Sequence, residues 1–76
     1  MELNVNGAKR TAAERLTVAQ LLEQLGAMPE RVVVEVNLKI LKRAEHATTT
    51  LAEGDRVEIV RFVGGGAGVL KATRIS

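Results

Sequence analysis

Apolar side chains take every second position at the start of the chain: in Glu2-Leu3-Asn4-Val5, Leu3 and Val5 share one face and the polar residues share the other. That period of two predicts a half-buried strand. Asn6-Gly7 follows, two residues that accept positive φ, and predicts a type I′ hairpin turn with a return strand from Ala8 to about Thr11. The period then changes. Val18, Leu21, Leu22 and Leu25 recur at i, i+3, i+4 and i+7, one face of a helix two to three turns long, with Gly26 as a left-handed terminator. Thr17 and Gln20 stand three residues apart at its start and predict a capping box, with Leu16 and Leu21 placed as a hydrophobic staple. A helix this short is not stable alone in water, so it requires a sheet to cover.

After Pro29 the β-branched run Glu30 to Asn37 predicts a third strand beginning there, with Val32, Val34 and Val36 on one face and Val33 and Glu35 on the other. Residues 38–43 are apolar enough for a short strand or extended segment, and residues 44–50 predict an irregular connection. A Gly54-Asp55 turn introduces a last strand in which Val57 and Ile59 face inward, and a glycine cluster follows it. A hairpin at each end with one helix between them is an α+β layout, a mixed sheet packed on a single main helix. This is the element order of a β-grasp domain, an order that other small α+β folds share.

Composition narrows the chemistry. The chain has 76 residues, 46% hydrophobic and 26% charged, enough for one domain with a modest core. There is no cysteine, which excludes a disulfide framework, a thiolate zinc site and a cysteine nucleophile. The net charge of +2 is spread along the chain and Phe62 is the only aromatic residue, so neither the concentrated basic patch nor the stacking platforms of a nucleic-acid binder are present. No apolar run is long enough for a signal peptide or membrane span, and the expected address is cytoplasmic, with no membrane partner. His46 has no second His or Cys nearby to complete a metal site and is expected on a surface loop. Glu53 and Asp55 flank a turn glycine, which explains them without a paired-carboxylate catalyst. No catalytic residue and no metal ligand is expected.

Residues 3–7 (LNVNG), 16–26 (LTVAQLLEQLG), 32–43 (VVVEVNLKILKR) and above all 51–66 (LAEGDRVEIVRFVGGG) resemble the ThiS family, ubiquitin-like β-grasp sulfur carriers of thiamine (thiazole) biosynthesis. The small subunit of molybdopterin synthase and its kin look similar in fold and also end in Gly-Gly, but tend to carry prolines just before it. Here Arg61-Phe62-Val63 stand at that place. Leu38 departs from the pattern, since glycine often follows that asparagine in the family, and it bears on the turn rather than on the function.

The resemblance implies a β-grasp carrier domain over residues 1–66 and a flexible tail over residues 67–76. It implies that the carboxylate of the last glycine, Gly66, is adenylated by an ATP-dependent adenylyltransferase resembling ubiquitin-activating enzymes and converted to a thiocarboxylate. A sulfur donor such as a cysteine desulfurase supplies the sulfur, and thiazole synthase consumes it. The carrier would be a substrate of its partners rather than an enzyme, with no bound cofactor and with ATP used by the activating partner. Gly64 and Gly65 would be its slender reactive arm, since residues without side chains enter a narrow channel and adopt backbone angles closed to others. Val60 and Phe62 alternate away from Val57 and Ile59 and are expected to take part in partner docking, with core filling as the other reading of Phe62.

As written, however, Gly66 is joined to Ala67 by an ordinary amide, so carrier function requires a cut near it, the exact position among Gly64 to Gly66 being open. Residues 67–76 are expected to be a removable pro-segment or a segment derived from the expression vector, ahead of a family member that has drifted to another role. The stretch Val69 to Ile75 is able to pair as a short edge strand. Two alternatives stand beside thiazole formation: a carrier of the same fold for molybdopterin or another pathway, and an interaction module in which the glycines merely tether the tail.

Overall fold

The structure is a computed structural model, and it describes the backbone of residues 1–65 and 69–74 and the side chains of residues 1–61. β1 (Glu2–Val5) and β2 (Ala8–Thr11) form the first hairpin, α1 (Val18–Gln24) follows, and β3 (Val32–Val36), β4 (Lys39–Leu41), β5 (Arg56–Gly65) and β6 (Val69–Arg74) complete the chain. The sheet runs β2-β1-β5-β3-β4, with β1 parallel to β5 and the other pairs in that row antiparallel; β6 pairs antiparallel with β5. One helix across one face of a mixed sheet, with its first and last long strands side by side at the centre, is the β-grasp architecture expected from the sequence.

The core follows from the two periodicities. Leu3 and Val5 of β1, Val34 of β3, Leu41 of β4 and Val57 and Ile59 of β5 line the covered face, and Val18, Leu21 and Leu22 of α1 pack down on them. Thr17 and Gln20 make the reciprocal capping box, so two N–H groups that a helix start leaves orphaned are satisfied by side chains. Pro29–Arg31 is a 3₁₀ turn, which shifts the start of the third strand from about Glu30 to Val32. The reason is Pro29 itself, whose fixed φ and missing N–H suit the first turn of a helix better than a ladder.

Both hairpin turns have the same backbone. Asn6 (φ +50) and Gly7 (φ +84) close β1 onto β2, and Asn37 (φ +51) and Leu38 (φ +71) close β3 onto β4. Asparagine tolerates this left-handed region, whereas a leucine there costs about 1–2 kcal/mol. Leu38 is 79% exposed, so its side chain returns little of that cost as packing. Substitution Leu38→Gly is expected to raise stability by about 1 kcal/mol after allowing for glycine's larger unfolded-state entropy. Urea titration of the two proteins measures it, and a destabilised variant would mean that Leu38 has contacts that outweigh the strain.

His46 overturns its expectation as a surface residue, being only 4% exposed. Arg43–Glu45 forms a 3₁₀ turn that directs the chain beneath the start of α1, where the His46 carbonyl accepts from Ala19 N at 2.9 Å and the Thr49 carbonyl accepts from Val18 N at 3.0 Å. The backbone is thus drawn in to satisfy orphan helix donors, and the imidazole is buried with it. Its Nδ1 has no hydrogen-bond partner among the described residues. Burial, reinforced by the Arg43 charge and opposed by Glu45, holds its pKa below the ordinary 6.5. A base whose folded pKa is depressed binds protons more readily when unfolded, so its contribution is intact above pH 6.5 and is lost as pH falls toward the folded value. Wild type should therefore lose stability between neutral and mildly acidic pH more steeply than a His46→Gln variant in parallel urea titrations. Equal slopes would refute this.

Candidate functional site: the glycine-bearing strand

The residues that the sequence singles out lie along β5 or just after it. On one edge β5 pairs with β3 from Val57 to Arg61. On the other edge three different partners follow one another. β1 pairs with Arg56 and Val57, the Asn6 side chain brackets Ile59, and β6 pairs from Val60 to Gly65. The Asn6 contact is a pair of hydrogen bonds: Ile59 N donates to Asn6 Oδ1 at 2.7 Å, and Asn6 Nδ2 donates to the Ile59 carbonyl at 3.3 Å. A side-chain amide carries the donor and acceptor of a peptide group, so Asn6 acts as one more rung where β1 has already turned away. Sequence reading assigns Asn6 to the turn alone. This second role depends on a residue far along the chain and left no local signal.

Strand alternation puts Val57 and Ile59 beneath α1 and turns Glu58 and Val60 to the open face. Val60 is half-buried and stands beside Val33, Glu58 stands beside Glu35, and Ile40, 64% exposed, flanks Glu35 on β4. The open face therefore carries small apolar patches around an acidic pair. Of the two docking residues expected, Val60 faces this side; the side chain of Phe62 lies outside the described residues, as does Gly66.

Gly64 and Gly65, expected as a flexible reactive arm, are rungs of β5 opposite Leu70 and Val69. Residues 69–74, expected within the tail and able to pair as a short edge strand, supply that opposing strand. The physical reason is the open edge, whose N–H and C=O groups are paired by the one extended segment that follows them in the chain.

Structural hydrogen bonds, one within the turn and two to distant segments, account for the two acids near the start of β5. Asp55 accepts from Ala52 N at 2.8 Å and from Asn37 Nδ2 at 2.9 Å, and Glu53 accepts from Glu2 N at 2.9 Å. Among the described residues no three His, Asp or Glu side chains gather into a metal-binding group, and no helix is long and apolar enough to cross a membrane.

Comparison with known proteins agrees with this geometry. The crystal structure of the thiamine biosynthesis protein ThiS from Geobacter metallireducens superposes with a TM-score of 0.76 at 45% identity, over 87% of this chain and 100% of that one. Thiazole synthase from Paramagnetospirillum magneticum is 40% identical over 67 residues, which are 88% of this chain and 21% of that protein. Thiazole synthase from Magnetococcus marinus is 38% identical over 66 residues, 87% of this chain and 20% of that protein. The chain thus spans about a fifth of the length of these two curated relatives. The ThiS family model matches residues 3–66, from the first buried leucine to the third glycine of the cluster, and the chain belongs to the ThiS family.

Proposed function

We propose that this protein is a sulfur carrier in thiamine biosynthesis whose working terminus is Gly66. The observation that carries the proposal is the family match, which stops at Gly66 while the last core strand runs directly into Gly64 and Gly65. A carboxylate is a poor acyl donor until one oxygen becomes a good leaving group. In the proposed sequence, the Gly66 carboxylate attacks the α-phosphorus of ATP on a partner resembling ubiquitin-activating enzymes, and pyrophosphate leaves. The terminal persulfide sulfur of a donor such as a cysteine desulfurase then attacks the acyl carbon and displaces AMP, and a thiol cleaves the acyl disulfide so formed, leaving a thiocarboxylate and the thiol oxidised as a disulfide.

Thiazole synthase is the proposed acceptor, supported over molybdopterin synthesis by the two relatives of that name, in which a region similar to this chain occupies about a fifth of the protein. Val60, with Val33 and Ile40 on the open face and Phe62 next along β5, is the proposed docking surface; the chain itself supplies an arm and a face and no catalytic group. Residues 67–76 are a segment that must be removed before Gly66 can act.

Intact mass of the untagged protein from cells making thiamine tests this reading. A chain ending at Gly66, part of it heavier by the exchange of one oxygen for one sulfur, is expected. A population still joined to Ala67 under those conditions would overturn it.

A further inference from the structure

β5 has two kinds of neighbourhood along its length. From Val57 to Ile59 both edges are occupied by the body of the domain, through β3 on one side and β1 with the Asn6 amide on the other. Val60 and Arg61 have β3 on one side and β6 on the other. From Phe62 to Gly65 the pairs found among the described residues are with β6 alone: Phe62 with Ala72, Val63 with Lys71, Gly64 with Leu70 and Gly65 with Val69. The glycine end of the molecule is therefore half of a two-stranded ribbon standing beyond the third strand.

Such a ribbon is marginally stable in water, and two glycines in one of its strands weaken it further. The edge beneath it is nonetheless a proper strand-pairing edge, because β6 occupies it over six consecutive rungs. Recognition of Gly64 and Gly65 must also use the main chain, since they offer nothing else. Addition of an antiparallel strand meets that need, with backbone hydrogen bonds giving affinity where side chains cannot.

We propose that the β5 edge from Val60 to Gly65 is a strand-docking site for an extended segment of the activating enzyme, and that β6 fills it in cis as a displaceable stand-in. This rests on the carrier reading for the identity of the partner. It adds that residues 67–76 do two separable things: they block the Gly66 carboxyl covalently, and they cover the edge by which the arm is gripped. Asn6 sets the near limit of the site, because it satisfies Ile59 whether or not β6 is present.

A proline pair separates the two effects. In Lys71→Pro/Ala72→Pro the tail remains attached to Gly66, but two adjacent β6 donors are lost, at least one of which serves the ladder whichever way the alternate N–H groups point. Amide hydrogen exchange reports release directly: Ile59 N faces the Asn6 side of β5, so by alternation the Val63 and Gly65 amides face β6 and should be protected in the full chain and unprotected in the variant, while Val57 to Ile59 stay protected in both. Affinity for the purified activating enzyme is then measured without ATP for the full chain, the proline variant and a chain ending at Gly66, whose core and family match both lie within residues 3–66.

The proline variant should bind about tenfold more tightly than the full chain, as expected where the open ribbon is roughly a one-in-ten state, and should approach the shortened chain. If the Val63 and Gly65 amides exchange freely in the full chain, β6 covers nothing and the proposal falls. Equal affinity of full chain and proline variant, with tighter binding only by the shortened chain, also overturns strand docking and leaves the carrier reading standing. Failure of all three to bind overturns the carrier reading as well.

Discussion

A chain ending at Gly66 should support ATP–pyrophosphate exchange by the activating enzyme, whereas the chain continuing through Ala67 to Ser76 should support none above the enzyme's own background. The expected difference is at least about a thousandfold, because the two forms differ in whether the reacting nucleophile exists rather than in how well it is placed. An ionised carboxylate offers a charged oxygen to the α-phosphorus. The Gly66–Ala67 peptide has only a neutral carbonyl oxygen and a nitrogen whose lone pair is delocalised into the carbonyl, and attack through that oxygen would give a cationic imidate rather than a mixed anhydride. Isotope exchange between pyrophosphate and ATP reads the step without needing a sulfur donor or an acceptor. Exchange by the full chain at a rate near that of the shortened one would show that Gly66 is not the reacting end. Exchange by neither would reject adenylation altogether.

The contrast with strand covering is physical as well as experimental. Displacing β6 changes how tightly the arm is held and leaves its chemistry unchanged; the proline variant is accordingly expected to bind well and still fail in pyrophosphate exchange. A chain that gained both binding and exchange on loss of β6, with the Gly66–Ala67 bond intact by mass, would place the reactive group elsewhere in the molecule.

Much of the fold was legible because its signals are local. Asn6-Gly7, the Thr17 and Gln20 capping box, the spacing of Val18, Leu21, Leu22 and Leu25, and the inward alternation of Val57 and Ile59 each depend on residues within about two turns or one strand, where propensity and period act directly. The features that the sequence misplaced are long-range. His46 is buried because a carbonyl in a loop answers donors at the start of a distant helix, and nothing in the segment Ala44 to Thr50 encodes that demand. Pro29 stands before a strand in the sequence pattern, but its geometry serves a helical turn first. The position of the glycine end on β5 was legible, as was the capacity of Val69 to Ile75 to pair as an edge strand; which strand it pairs with was not, because an edge shows itself only when the order of strands is known.

Asn6 gives the largest expected stability effect of a single side chain outside the packed core. Asn6→Gly keeps the left-handed backbone that the turn requires and removes only the amide, so it isolates the rung from the turn. Ile59 is fully buried, and its N–H and carbonyl would lose the partners that now lie at 2.7 and 3.3 Å. Two hydrogen bonds lost at a site where water does not readily replace them, together with glycine's extra unfolded-state entropy, predict a loss of about 3 kcal/mol. That is a large share of the roughly 4–11 kcal/mol expected for a domain of this size.

Asn37 supplies the control. It occupies the corresponding place in the second turn and its amide also holds β5, donating to Asp55 at 2.9 Å and accepting from Arg56 N at 3.0 Å, but those groups are exposed. Water can take over both bonds, so Asn37→Gly should cost about 1 kcal/mol or less. Urea unfolding of the two variants side by side decides the matter. A similar cost at both positions would mean that the asparagines matter only as turn residues, and that the edge of β5 at Ile59 is held by something other than the Asn6 amide.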